Sequence, residues 1–353
     1  PAVQLRQAGQ ALYMQSSEPL QDYPQRLLER LLRWADERPE QTFIARRGAD
    51  DQWQRIGYAE MLGRVRSIAQ RLLDFELSAE RPLLILSGND LEHLQLACAA
   101  MYIGVPYCPV SPAYALVAQD YTKLQHICTL LQPGLVFAAD GSAFARAIEA
   151  VLPAGTPLLL TVGKVAGRDC RAFASLLGTE DCAAADAAFA ATGPDNIAKF
   201  LFTSGSTKLP KAVITTQRML CANQQMLLQT FPVFAEAPPV LVDWLPWNHT
   251  FGGSHNVGIV LYNGGTLYID DGKPTRSISP RPWATCARYR RPPTSRCPRA
   301  GRSWSPPWRR MPGCARCSSP ESSCCSSPAP GCRRRSGIAS TRWPRRTAAS
   351  ASA

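Results

Sequence analysis

One short stretch, residues 200–213, carries the residue types best suited to binding an anion. An apolar run at 200–202 predicts a buried strand, and a β-branched run at 213–216 predicts a second strand. Between them lie small hydroxyl and glycine residues followed by basic residues and a proline: Thr203, Ser204, Gly205, Ser206, Thr207, Lys208, Pro210 and Lys211. Backbone N–H groups and hydroxyls around a glycine form a concave anion site, to which lysine adds positive charge. The stretch predicts a phosphate-binding loop, and the alternative is an ordinary polar hairpin loop.

These residues resemble the phosphate-binding motif of adenylate-forming enzymes, which include acyl-CoA synthetases, peptide-synthetase adenylation domains and luciferases. That motif is aromatic-Thr-Ser-Gly-Ser/Thr-Thr-Gly-x-Pro-Lys-Gly. The chain matches it at Phe202, Thr203, Ser204, Gly205, Ser206, Thr207, Pro210 and Lys211. Lys208 and Ala212 stand where the family usually has glycine, and a lysine at positive φ would carry a steric cost. The resemblance implies ATP binding through the β- and γ-phosphates, with Mg²⁺ on the phosphate oxygens.

A second group of candidate residues follows a predicted strand at 240–245, which Pro246 ends. Trp247, Asn248, His249 and Phe251 then precede a Gly-Gly pair. A histidine beside aromatic residues in a loop bounded by proline and glycine is a candidate for lining a pocket. The alternative is a histidine that is simply hydrogen-bonded at the end of a strand.

The resemblance extends to this second group. His249 matches an aromatic/His motif that, in adenylate-forming enzymes, lines the acyl pocket near the mouth of the pantetheine tunnel. The sequence of residues 245–253 and 260–274 is similar to that of the feruloyl-CoA synthetase branch of the family. That similarity implies a hydroxycinnamate such as ferulate as the acid and CoA as the co-substrate.

The elements that must position these residues alternate between strand and helix. Apolar runs at 83–87, 135–138 and 157–161 predict strands, with helices predicted between and after them. This rhythm predicts an α/β fold with a parallel sheet flanked by helices. Further patterns predict helices at 27–34, 58–73, 91–101, 121–131, 143–151, 217–230 and 257–262, and a strand of a second sheet at 265–269. Residues 163–195, rich in Ala, Gly and Asp, are interpreted as a connection.

Other polar residues have structural interpretations. Asn89 or Asp90 is suited to cap the helix that follows. His93 and His126 lie in helical patterns without nearby Cys or His partners, so packing or surface roles are favoured over metal ligation. No metal site is predicted.

The net charge of +12 is unevenly distributed. Residues 281–353 contain 16 Arg, no Lys and one acidic residue, which gives a local charge of +15, whereas residues 1–280 carry −3. Six cysteines are scattered through residues 1–280 and are expected to be buried thiols in a reducing compartment. No long apolar run indicates a membrane span, and the first residues lack the pattern of a signal peptide. These features predict a cytoplasmic protein.

Residues 281–353 contain no Leu, Val, Phe or Lys but have 13 Ser, 11 Pro and 7 Cys. Such a composition predicts a disordered tail, and the boundaries are expected at 1–280 for a partial AMP-binding domain and 281–353 for the tail. Three interpretations remain open for it. It could bind nucleic acid, its cysteines could bind zinc, or it could be a coding frame read out of register. If the codons of Ser323 to Pro344 are read one base out of register, they can encode a segment that is similar to the family's Phe-Ala-Gly-Ala-x-Leu sequence. This similarity favours a frameshift.

The resemblance also implies functional motifs that cannot be identified in the sequence of residues 281–353. These are the Tyr-Gly-x-Thr-Glu loop, the ribose-binding Asp and the catalytic Lys of the small C-terminal domain. The expectation is an ATP-dependent acid–CoA ligase by family, truncated and with little or no activity as written. The alternatives are a non-catalytic nucleotide- or acyl-binding remnant and a nucleic-acid-binding protein that uses its Arg-rich tail.

Overall fold

The computed structural model describes residues 3–203 and 209–270, in which strands and helices alternate along most of the chain. These residues belong to the first of two units into which the chain divides, Pro1–Arg290. The described strands are β1 Val3–Ala8, β2 Ala11–Ser16, β3 Thr42–Arg47, β4 Trp53–Gly57, β5 Leu83–Leu86, β6 Tyr107–Pro109, β7 Leu135–Asp140, β8 Leu158–Val162, β9 Cys170–Ala172, β10 Ile197–Thr203, β11 Lys211–Thr216, β12 Val240–Asp243 and β13 Thr266–Ile269.

The helices are α1 Glu29–Glu37, α2 Tyr58–Leu72, α3 Leu91–Tyr102, α4 Ala113–Leu116, α5 Thr122–Leu131, α6 Gly141–Val151, α7 Ala183–Ala191, α8 Gln217–Thr230, α9 Val233–Glu236 and α10 Val257–Tyr262. Short 3₁₀ turns lie at Leu73–Phe75 and Phe173–Leu176. A π-helix, Phe251–Asn256, leads directly into α10.

The larger sheet has seven strands in the order β11-β10-β6-β5-β7-β8-β9. All neighbouring pairs are parallel except β10 and β11, which are antiparallel. The inner strands are short apolar runs, as expected for strands that are buried on both faces. Leu83 and Ile85 of β5 belong to one buried cluster, whereas Leu84 and Leu86 belong to another. The helices therefore pack on both faces of this sheet, which confirms the predicted α/β class.

A second sheet carries the other part of the candidate site. Its four strands are ordered β12-β13-β3-β4, with only the β3–β4 pair antiparallel. This arrangement confirms that the predicted strand near the end of the described range belongs to a separate sheet. Trp34 of α1 donates a hydrogen bond to the Leu261 carbonyl oxygen of α10 over 2.9 Å, and Tyr58 of α2 donates to the Gly265 carbonyl oxygen over 2.8 Å. These bonds tie α1 to α10 and α2 to the residue that precedes β13.

The structure shows which of the two candidate residues, Asn89 and Asp90, caps α3. The Asp90 carboxylate accepts a hydrogen bond from the His93 backbone N–H over 2.6 Å, so Asp90 is the N-cap. Asn89 makes other contacts, described below. His93 is buried and its Nδ1 atom lies 3.0 Å from the Ser87 hydroxyl, which confirms a packing role.

The interpretation of residues 163–195 as a connection is wrong. This segment contains β9, the 3₁₀ turn Phe173–Leu176 and the nine-residue helix α7. Helix α7 is almost entirely alanine, the residue with the highest helix propensity, and it has too few large side chains to show an amphipathic pattern. Two of its residues, Ala185 and Phe189, are buried at helical spacing and fix it to the core.

The first described residues form an antiparallel hairpin that was not predicted, β1 with β2. Every residue of both strands is exposed. The six cysteines of the described ranges are free thiols, of which only Cys170 is not fully buried, as expected. Within residues 3–203 and 209–270, no helix combines the length and apolar content needed to cross a bilayer. The predicted tail lies outside the described residues.

Candidate nucleotide and acyl site

The predicted phosphate loop connects two neighbouring strands at the edge of the seven-stranded sheet. Strands β10 and β11 pair with Thr203 opposite Lys211, and both side chains are exposed. Ser204, Gly205, Ser206 and Thr207 lie outside the described residues. The antiparallel pairing therefore holds a hydroxyl and an ammonium group beside each other, where β10 ends and β11 begins.

A histidine that the sequence analysis assigned to packing or the surface contacts the end of this loop. His126 of α5 is half-buried, and its Nε2 atom lies 3.1 Å from the Pro210 carbonyl oxygen, one residue before Lys211. The carbonyl is an acceptor only, so the imidazole donates. The two residues are 84 positions apart in the chain, so no local pattern could have revealed this contact.

The loop after β12 is held by Asn89, which follows β5 of the larger sheet. The Asn89 amide donates to the Leu245 carbonyl oxygen over 2.8 Å and accepts from the Trp247 backbone N–H over 3.0 Å. The Asp243 carboxylate accepts from the Leu245 backbone N–H over 3.0 Å. One side chain of the first sheet therefore fixes the backbone that presents the second group of candidate residues.

The four candidate residues of this loop do not share one surface. Trp247 is 4% exposed and packs edge-on against His93, with ring centroids 5.2 Å apart. His249 is exposed, and its Nδ1 accepts from the Phe251 backbone N–H over 3.3 Å. Phe251 is half-exposed and stacks on His255 with centroids 4.7 Å apart. The structure thus brings His249 and Phe251 together on the surface and directs Trp247 into the interior.

Asn248, the remaining candidate, lines a crevice of about 580 Å³ between the carboxyl ends of strands from both sheets. Gly88 and Asn89 follow β5 there, and Trp244 and Asp270 follow β12 and β13. Crevices beyond the carboxyl ends of parallel strands are the usual ligand sites of open α/β sheets. The position of the crevice therefore makes it a candidate ligand site.

Beneath the π-helix lies an unusual cation. Lys199 of β10 is 1% exposed, and its Nζ donates to the Gly253 carbonyl oxygen over 3.0 Å. Burial lowers the pKa of Lys199 to about 7, because a charged amine is costly to remove from water. Burial likewise lowers the pKa of His93 to about 4, so its imidazole is neutral at physiological pH.

The residues present do not form a metal centre of their own. Within residues 3–203 and 209–270, no three His, Cys, Asp or Glu side chains are grouped so that they could hold an ion.

The sequence matches the family described as AMP-binding enzyme over residues 31–299, past the boundary expected at residue 280. A 3-[(3aS,4S,7aS)-7a-methyl-1,5-dioxo-octahydro-1H-inden-4-yl]propanoyl:CoA ligase of Rhodococcus jostii (strain RHA1) is 25% identical over 219 residues, covering 60% of this chain and 42% of that protein. The 4-coumarate–CoA ligase-like protein 9 of Arabidopsis thaliana is 28% identical over 170 residues, covering 48% and 28%. The chain therefore matches less than half the length of each of these relatives.

Solved structures have the same fold. A fatty acyl-adenylate ligase from L. pneumophila, in complex with acyl adenylate and pyrophosphate, has a TM-score of 0.53 at 19% identity, covering 70% of this chain and 40% of that one. The luciferase-like enzyme of the mealworm Zophobas morio has a TM-score of 0.53 at 18% identity, covering 70% and 53%. The family match and the shared fold agree that the chain is a member of the AMP-binding enzyme family.

Proposed function

We propose that the protein from which this chain comes is an acid–CoA ligase that activates a carboxylic acid with ATP. The observation that carries this proposal is the pairing of Thr203 with Lys211 at the mouth of the Thr-Ser-Gly-Ser-Thr loop in a member of the AMP-binding family. Hydroxyl groups, backbone N–H groups and a lysine are the donors that bind phosphate oxygens.

The proposed reaction has two steps. A carboxylate oxygen attacks the α-phosphorus of Mg-ATP, and the bond to pyrophosphate breaks to leave an acyl-adenylate. The CoA thiol sulfur then attacks the acyl carbonyl carbon, and AMP leaves to give the thioester.

In the first step, Thr203 and Lys211, together with Ser204, Gly205, Ser206 and Thr207, would hold the β- and γ-phosphates and offset the charge that pyrophosphate acquires. Mg²⁺ would arrive with ATP and neutralise phosphate oxygens.

The acyl group would lie near His249 and Phe251, with Asn248 in the adjoining crevice. Support for an aromatic acid comes from the resemblance to feruloyl-CoA synthetases and from the Arabidopsis relative, whose name contains 4-coumarate. The exposed stack of Phe251 on His255 offers an aromatic surface for a phenyl ring. A second candidate is a bulky alicyclic acid, which the name of the Rhodococcus relative describes for that protein.

Residues 281–353 do not contain, as written, the adenine-binding loop or the catalytic lysine that the family uses. We infer that a frameshift separates residues 281–353 from the sequence of the family. Sequencing the gene across codons 270–295 tests this directly. A one-base insertion or deletion would support the frameshift. An intact reading frame, with no sequence of the family in the other two frames, would contradict it.

A binding experiment on the chain itself tests the proposed acid. Non-hydrolysable acyl-adenylate mimics, with a sulfamate in place of the phosphate, would be titrated by calorimetry with feruloyl, alicyclic and decanoyl groups. We expect the feruloyl mimic to bind about tenfold more tightly than the decanoyl mimic, which corresponds to about 1.4 kcal/mol. Equal affinities would contradict the aromatic acid, and the absence of binding by any mimic would contradict the adenylate site.

A further inference from the structure

Lys199 is an unexpected residue in the interior of this fold. It lies on β10, four residues before Thr203, and is only 1% exposed. Its Nζ lies 5.7 Å from the centroid of the Tyr107 ring, and it has no ion-pair partner among residues 3–203 and 209–270. A lysine amine carries up to three N–H donors, and the bond to Gly253 uses one of them.

The Lys199 side chain borders a small, partly open cavity between β10, α3 and the π-helix. Its volume is about 20 Å³, and its wall includes Lys199, His93, Trp247 and Ser254. A cavity needs roughly 10–15 Å³ to hold one water molecule and polar partners to retain it. This space is therefore large enough for one water molecule.

Two residues of the wall carry polar atoms that are buried without a partner in the described part of the chain. These are the indole Nε1 of Trp247 and the hydroxyl of Ser254. Buried donors in folded proteins are nearly always satisfied by protein or by ordered water. The indole N–H, the hydroxyl and at least one spare N–H group of Lys199 are donors that an ordered water oxygen would satisfy.

The same wall belongs to the segment that carries the proposed acyl-binding residues. Gly252 and Gly253 pack so closely on the backbone of Pro246 and Trp247 that a Cβ atom would lie 2.5 Å and 2.1 Å from their carbonyl oxygens. The Gln224 amide donates to the Ser254 carbonyl oxygen over 3.0 Å. A bond to this backbone thus bears directly on the placement of the π-helix.

We propose that Lys199, Trp247 and Ser254 form a binding site for one buried water molecule, and that Lys199, through this water and Gly253, is a positioning residue for the segment bearing His249 and Phe251. The water site depends only on the atoms described above. The effect on acyl binding rests on the proposed function.

A crystal structure of the chain tests the water site without any ligand. We expect one spherical density peak within about 3.2 Å of Lys199 Nζ and of either Trp247 Nε1 or Ser254 Oγ. In Lys199→Met, we expect the peak to be lost and the Phe251–Asn256 backbone to shift. An empty cavity in the wild-type protein would overturn the site, and an unchanged backbone in Lys199→Met would overturn the positioning role.

A second pair of variants keeps the test valid if Lys199→Met does not fold. Ser254→Ala removes one partner of the water, whereas Ser175→Ala, the matched control, removes an exposed hydroxyl bonded to the Ala172 carbonyl oxygen on another part of the sheet. We expect the density peak to weaken only in Ser254→Ala. An unchanged peak in Ser254→Ala would remove Ser254 from the site.

Affinity measurements separate positioning from general stability. We expect Lys199→Met to weaken binding of the feruloyl-adenylate mimic about tenfold and to leave the affinity for Mg-ATP within twofold of the wild-type value. Equal losses for both ligands would contradict a role specific to the acyl segment. If the wild-type chain binds no mimic, the proposed function fails, and the crystallographic result on the water site stands independently.

Discussion

The Nζ atom of Lys199 lies 3.0 Å from the carbonyl oxygen of Gly253, and this bond joins the two halves of the candidate site. Lys199 belongs to the strand that ends in the phosphate loop, and Gly253 lies in the π-helix that follows His249. A buried amine is costly unless its hydrogen bonds are satisfied. Lys199 thus anchors the π-helix to the strand that precedes the phosphate loop.

Close packing at Gly253 predicts a large loss of stability on adding a methyl group. In Gly253→Ala, the new Cβ would lie 2.1 Å from the Trp247 carbonyl oxygen, so backbone must move, at a cost of about 1–3 kcal/mol. The matched control is Gly63→Ala in the interior of α2, where nothing lies within 4 Å of the new atom. Because alanine favours helix, the control is expected to gain about 0.5–1 kcal/mol. Urea unfolding measures both, and equal stabilities would contradict the described packing.

The lowered pKa of Lys199 predicts a pH-dependent stability. Its folded pKa is about 7 because of burial, and that of an unfolded lysine is about 10.4. Between these values the unfolded chain binds a proton that the folded chain does not, so the free energy of unfolding rises with pH. The contribution approaches about 1.4 kcal/mol per pH unit.

Lys199→Met removes this contribution, so the difference between the wild-type and variant unfolding free energies should grow from pH 7 to pH 10. The difference isolates Lys199 from the buried tyrosines and cysteines, which titrate in both proteins. Urea unfolding at intervals of one pH unit gives the two curves. Parallel curves would show that Lys199 keeps its proton in the folded protein.

The shifted pKa values of Asp90 and His93 predict opposing changes of the free energy of unfolding with pH in the acidic range. Burial raises the pKa of Asp90 to about 7, so its contribution to stability is present below about pH 4 and is lost as pH rises to 7. Burial lowers the pKa of His93 to about 4, so its contribution grows between pH 4 and about 6.5. The two effects offset each other in the wild-type protein.

Asp90→Asn keeps an oxygen to cap α3 and removes the titrating group. The free energy of unfolding of this variant is therefore expected to rise more steeply with pH between 4 and 6.5 than that of the wild-type protein. Thermal unfolding across this range measures both slopes. Identical slopes would rule out the raised pKa of Asp90.

The bond from His126 to Pro210 predicts that α5 helps to fix the end of the phosphate loop. His126→Phe keeps a ring of similar size but removes the donor to the Pro210 carbonyl oxygen. We expect the affinity for Mg-ATP to fall about three- to tenfold, which is about 0.7–1.4 kcal/mol, the range of one hydrogen bond. Gln125→Ala, at an exposed neighbouring position of α5, serves as the control and should bind ATP as the wild-type chain does. An unchanged affinity in His126→Phe would mean that the contact is only structural.

Much of the fold could be predicted because its signals are local. Helix α8 begins and ends at the predicted residues, Gln217 and Thr230, and the inner strands of the large sheet appear as short apolar runs. Helix α7 was missed because its alanines have a high helix propensity but show no hydrophobic periodicity. The β1–β2 hairpin was missed because β2, Ala-Leu-Tyr-Met-Gln-Ser, does not alternate between apolar and polar residues. Its turn contains Gly9, which adopts positive φ.

The candidate site was less predictable because its contacts are distant in the sequence. Lys199 stands in an apolar strand run, and nothing nearby indicates that its amine reaches a carbonyl oxygen 54 residues later. Trp247 and His249 are two positions apart, yet one lies in the interior and the other on the surface. The direction of each side chain depends on the turn into the π-helix, which requires Asn89 from another sheet.

The measurement that tests the central claim most directly is the affinity of this chain for Mg-ATP by calorimetry, compared between the wild type and Lys211→Gln. If the loop after β10 binds the triphosphate, Lys211→Gln should lose about tenfold or more in affinity, because a charge-assisted bond is removed. Lys164→Gln, at an exposed position on the far side of the same sheet, should bind as the wild type does. Saturable binding that only Lys211→Gln weakens is the predicted result. Failure of the wild-type chain to bind Mg-ATP, or equal affinities in all three proteins, would contradict the account.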